Sequence, residues 1–163
     1  MFNKMKFFKL MFGLLIAGLA MSGPASANER YGDQKVVYHI NYDDPKHQAT
    51  VLHNIQNNIN AVGADHITVK VVLHGNGLSL LLLPKALKTH PKFRTANATS
   101  EMQQKIDALK MQGVQFDVCA NTLKGKAVDY KKDLYDVDTK DVVPSGVAEL
   151  VRLQQQGYAY LRP

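Results

Sequence analysis

One cysteine, Cys119, is the whole of the sequence's thiol chemistry. A lone thiol cannot close a disulfide within its own chain, so no internal disulfide holds the fold, and thioredoxin-type exchange between two cysteines is disfavoured. Long apolar runs are also missing. The longest, residues 10–21, falls short of the roughly 20 residues that a membrane helix needs, and nothing after it comes near that length. No basic track is present. The densest group, Lys124, Lys126, Lys131 and Lys132, is interrupted by Asp129 and followed by Asp133, which is the pattern of a solvated surface and argues against nucleic-acid binding. Close-spaced metal-ligand pairs are absent as well. A site built from Cys119, His74 and His39 therefore has little support, and Asp136-Val137-Asp138 lacks the spacing of a calcium loop. No metal and no dissociable cofactor is expected, and no internal repeat or low-complexity stretch appears.

The chain opens instead on an export pattern. Lys4, Lys6 and Lys9 precede the apolar run 10–21, and Ala25-Ser26-Ala27 supplies small residues for cleavage, so residues 1–27 read as a secretory signal and the mature chain is expected to begin at Asn28. Removing the signal takes three lysines and no acid, lowering the formal charge from +6 to +3. Residues 28–163 are the length of one domain with one core. The mature protein is expected to be soluble, without stable membrane insertion, and periplasmic, with secretion as the alternative.

Alternating periodicities run through that domain. Residues 35–40 are rich in β-branched and aromatic side chains and read as a buried strand. Asp44 caps a helix opened by Pro45, along which Val51, Leu52, Ile55, Ile59 and Val62 recur at helical spacing until Gly63. Residues 66–74 give the second strand. Residues 80–83 suggest core helix ended by Pro84, residues 85–97 an irregular excursion, and Ser100 to Gln103 a capping box for a helix with Met102, Ile106 and Leu109 inward. A strand at 114–118 is followed by a polar loop with a short helix around 128–134, a brief extended piece at 142–143, a helix with Val147, Leu150 and Val151 inward, and a closing strand at 158–161. Helices alternating with strands predict an α/β fold with a mostly parallel sheet.

Two stretches carry candidate chemistry. In V-Q-F-D-V-C, Val114, Phe116 and Val118 alternate with Gln115 and Asp117, so Cys119 stands at a strand's carboxyl end, where parallel sheets place their ligand crevices. A free cysteine is otherwise a small buried hydrophobe, and that reading stands beside a reactive one. His74-Gly75-Asn76-Gly77 ends the second strand with two glycines that let backbone approach a ligand and present N–H groups to an anion. The turn lacks the third glycine of a dinucleotide fingerprint and the Lys-Ser/Thr of a phosphate loop.

The succession V-V-L-H-G-N-G-L, G-V-Q-F-D-V-C-A-N-T-L and V-V-P-S-G-V-A-E-L-V-R-L-Q-Q-Q-G-Y-A-Y-L-R-P resembles the DsrE/DsrF-like family of small α/β proteins over residues 35–163. The resemblance implies a three-layer α/β/α sandwich with a mostly parallel sheet of about five strands, a homo-oligomer, and sulfur carried as a persulfide on Cys119. His74, Gly75 and Gly77 match the family's H-G-x-G turn, and Asn121 follows the cysteine in the same motif. On this reading His74 lowers the thiol's pKa, while Asn121 and the amides of Gly75, Asn76 and Gly77 orient an anionic sulfur. The partner is then a sulfur donor or acceptor, either a protein or a small sulfur compound. The alternative is a non-catalytic module, binding a small ligand or assembling into an oligomer, in which Cys119 is buried.

Overall fold

The computed structural model describes residues 30–163, so the expected signal 1–27 and the new terminus at Asn28 lie outside the described residues. The apolar runs form strands β1 (Gln34–Ile40), β2 (Ile67–Leu73) and β3 (Gln115–Cys119), with two shorter ones, β4 (Val142–Val143) and β5 (Ala159–Leu161). All pair in parallel, in the order β4-β3-β2-β1-β5, with Ile40 opposite Leu73, Leu73 opposite Val118 and Cys119 opposite Val143. The carboxyl ends of four strands are thereby drawn into one line.

Helix α1 (Pro45–Val62) begins as its sequence requires: the Asp44 carboxylate accepts from the His47 N–H at 2.6 Å, and Pro45 fills the first helical position. Helix α2 is Ser100–Met111. Side chains from both join Val36, Tyr38, Ile40, Val71, Leu73, Phe116 and Val118 in the main core. The opposite sheet face buries Val37 and Val72 against Leu150 and Leu153 of α5 (Gly146–Gln155). The sandwich has three layers, but the α5 layer is much the thinner.

Several local expectations change. Thr99, not Ser100, caps α2 by accepting from the Met102 N–H, and Gln103 donates to the Ala98 carbonyl rather than closing a capping box. The leucines of 80–83 form no core α-helix: the 3₁₀ segment Gly75–Leu80 ends among them and an isolated antiparallel bridge joins Leu82 to Leu134. The polar stretch after the cysteine is not a loop, because α3 (Ala120–Lys126) starts directly from β3 and stops where Ala127 turns left-handed at φ 54°. The short helix expected around 128–134 is α4 (Tyr130–Asp133). Val147 and Val151 point outward, 60% and 50% exposed, since α5 instead turns Gly146, Leu150 and Leu153 to the sheet. That helix also covers Asp117, which the strand's alternation assigns to a polar face and which is 1% exposed.

Candidate functional site

Residue alternation places Cys119 and His39 on the α5 face of the sheet with Asp117 and Val37, and His74, just past β2, follows the same parity as Val72. Cys119 closes β3 and at the same time caps α3, while α5 begins at Gly146 against the same spot. A β-carbon built on Gly146 would stand 3.2 Å from the Cys119 β-carbon and 3.0 Å from that of His74. Glycine there lets the start of α5 close onto both residues.

The thiol is 5% exposed, and burial alone pushes its pKa up. Hydrogen bonding from the Thr122 side chain and from the backbone N–H groups of Gly146, Thr122 and Asn121 outweighs that effect, and the net shift is downward. Thr122 is oriented for this: its Oγ1 accepts from the Gly75 N–H at 2.9 Å, leaving its own hydroxyl hydrogen for the sulfur. Oriented N–H groups at helix starts favour an anion, so the sulfur sits where a thiolate is stabilised without a neighbouring cation.

The glycine turn works differently from the expectation. The Gly75 N–H goes to Thr122 and the Gly77 N–H to the His74 carbonyl at 3.0 Å, so neither is free for a ligand. Gly75 is left-handed at φ 57°, and a β-carbon at Gly77 would stand 2.0 Å from the Ile40 carbonyl oxygen. These glycines therefore serve the crossing of the turn over the end of β1. Asn76 is exposed and accepts from the Lys126 ammonium at 2.9 Å, and Asn121 contributes its main-chain N–H while the residue stays exposed.

His74 joins a different group. Its Nε2 lies 2.7 Å from the Nε2 of His39, and the His39 Nδ1 lies 2.6 Å from the Tyr160 hydroxyl. Two imidazole nitrogens at that distance share one proton, because two N–H groups would repel. Burial first, then the His74 and Arg162 charges, pushes His39 down to about 4; burial and Arg162 also lower His74. Both rings are neutral at pH 7, and the lowering of the thiol comes from hydrogen-bond donors rather than an imidazolium. Among the described residues, no three His, Cys, Asp or Glu side chains are grouped as a metal ion would require.

Thr122, Gly146, Tyr160 and Arg162 were not among the residues singled out by sequence. Thr122 had a local signal, standing three positions past the cysteine. Tyr160 reaches His39 across 121 residues of chain, and no spacing rule reports such a contact.

These features define a class: a parallel α/β protein whose single thiol is set between two helix starts at the carboxyl edge of the sheet. The chain belongs to the DsrE/DsrF-like family, whose model matches residues 34–163. Among solved structures it is similar to a protein of unknown function from Methanobacterium thermoautotrophicum, with 32% identity over 80% of this chain and 100% of that one, at a TM-score of 0.63. No curated protein matches the chain. No helix among the described residues is long and apolar enough to cross a membrane.

Proposed function

We propose that this is an exported, periplasmic sulfur-handling protein in which Cys119 carries sulfane sulfur as a persulfide. The observation that supports it is the convergence of the Thr122 side chain and three backbone N–H groups on one thiol, lowering its pKa against the effect of burial. The reaction is an exchange without net oxidation. The Cys119 thiolate attacks the sulfane sulfur of a donor R–S–SH, the S–S bond breaks, RS⁻ leaves with the electron pair, and Cys119 holds the sulfur until an acceptor thiolate attacks it in turn. The donor or acceptor is a protein or a small sulfur compound. The protein works as a homo-oligomer, a reading supported by the exposed Val147 and Val151 of α5.

Intact-mass measurement after incubation with glutathione persulfide or polysulfide tests the carrier role. One or more added sulfur masses, removed by reductant and absent in Cys119→Ala, is the expected result; equal loading of the variant overturns it. A second reading has its own observation. With Cys119 only 5% exposed, the protein also fits a non-catalytic module whose thiol is packing, and that reading expects no adduct unless the chain is unfolded.

A further inference from the structure

Helix α5 covers two groups at once. Its first residue closes onto Cys119, and the helix beyond it buries Asp117, which stands two positions earlier on β3 and faces the same side of the sheet. Little holds this cover down. The apolar residues buried beneath it are Val37, Val72, Leu150 and Leu153, with Tyr158 packed against them, whereas the main core draws on β1, β2, β3 and both long helices. Glycines flank the helix, Gly146 at its first position and Gly157, at φ 87°, two residues past its end. A layer with few buried apolar contacts is the part of a fold that opens most readily.

Under the helix lies a carboxyl group with an incomplete set of partners. The Gln115 Nε2 donates to the Asp117 Oδ1 at 2.9 Å, while the Lys70 ammonium of β2 donates to the Gln115 Oε1 at 2.8 Å and stands 3.8 Å from the Asp117 Oδ2. That oxygen has no hydrogen-bond partner, and the residue is 1% exposed. The other ionisable groups around it come from every neighbouring element. Glu149 and Arg152 belong to α5 itself and bond each other, Asp141 comes from the turn before β4, and Tyr158 precedes β5 with the Lys35 ammonium of β1 at 5.9 Å from its ring. His39, nearer the carboxyl edge, shares the face. The Glu149–Arg152 pair moves with α5 and is kept when the helix lifts. Lys70 alone offsets the Asp117 charge, from beyond hydrogen-bond distance. An ionised Asp117 therefore gains hydration when α5 lifts, and a protonated one gains much less.

We propose that α5 is a gate over Cys119 and that Asp117 sets how often it opens: the anion favours the lifted helix, which admits reagents to the covered thiol, and the neutral acid keeps the helix down. Burial pushes Asp117 up to about 6, so the gate works most freely above that pH. No sulfur transfer is involved, so the gate stands apart from the persulfide reading; where that reading holds, the gate is the donor's way in.

Hydrogen exchange of the α5 amides at pH 5 and pH 8, in the wild-type chain and in Asp117→Asn, reads the opening directly. Both proteins keep His39, which titrates in the opposite sense over this range, so the ratio between them isolates Asp117. The wild-type α5 amides are expected to exchange faster than those of β2, and the wild-type-to-variant ratio of opening constants to grow about tenfold from pH 5 to pH 8. At pH 8 Asp117→Asn is also expected to slow alkylation of the native thiol about tenfold or more while leaving the midpoint of its pH profile unmoved, which separates access from ionisation. An α5 that exchanges no faster than β2, a ratio that stays constant with pH, or an unaltered alkylation rate overturns the gate. The persulfide reading fails separately, when the thiol is reached in this way yet gains no sulfur mass from any donor.

Discussion

Asp117 and His39 are both buried beneath the α5 side of the sheet, and burial moves them in opposite directions. Asp117 is pushed up to about 6 by desolvation, only partly offset by Lys70 at 3.8 Å, with Glu149 and Asp141 adding to the rise; its Oδ2 has no hydrogen-bond partner. Between about 4 and 6 the folded protein binds a proton there that the unfolded chain has released, so this group's contribution to stability falls as pH rises through that window. His39 does the reverse. Its value of about 4, against 6.5 unfolded, means that its contribution is whole above 6.5 and declines as pH falls towards 4. The two linkages oppose each other in one range. Asp117→Asn is therefore expected to stabilise the protein at pH 7.5 by about 1–2 kcal/mol, and to lose stability on acidification to pH 4.5 more than the wild type does. Urea unfolding at both pH values checks this, and an unchanged midpoint at pH 7.5 contradicts it. The sequence could not show the burial of Asp117. Gln115 and Asp117 alternate with Phe116 as on any half-exposed strand, and the helix that covers them comes from residues 146–155.

Elements were legible where a local signal was strong and misread where a tertiary contact overrode it. Asp44, Pro45 and Gly63 bound α1 as written. The start of α3 was hidden, because the residue that caps it is a cysteine, which offers no polar side chain for the capping bond. In α5 the valines were assigned inward by hydrophobicity, yet Gly146, Leu150 and Leu153 define the buried stripe, since the helix must set its first residue against Cys119 and His74. That approach depends on Gly146. Gly146→Ala places a β-carbon at 3.0–3.2 Å from two β-carbons carried by strand ends, which cannot rotate away. The substitution is expected to cost about 1–2 kcal/mol and to raise the thiol's pKa by drawing the Gly146 N–H off the sulfur. Alkylation rate against pH is the measurement, and an unmoved profile would remove α5 from the account of the site.

At the scale of the molecule, the strand-helix alternation and three separated motifs made the parallel sheet and the family legible from sequence. Of the candidate site, the strand-end places of Cys119 and His74 were legible, but not which groups each one meets: Thr122, Tyr160 and Arg162 acquire meaning from contacts between residues far apart in the chain or in neighbouring elements. The thin α5 layer also bears on assembly. Val147 and Val151, one helical turn apart, expose an apolar surface that a homo-oligomer would cover. The double variant Val147→Glu, Val151→Glu is expected to change stability of the isolated fold by no more than about 1 kcal/mol while shifting native mass spectra to the monomer; an unaltered assembly places the contact elsewhere. At Cys119 hydrogen-bond donors outweigh burial and hold the thiol's pKa below its ordinary value in a nearly covered position. Titration of that thiol with a small alkylating reagent, in the native protein and in denaturant, tests it most directly. The native thiol is expected to react, with a midpoint below that of the unfolded chain. A thiol that reacts only after unfolding, or one whose native midpoint lies above the unfolded one, contradicts it.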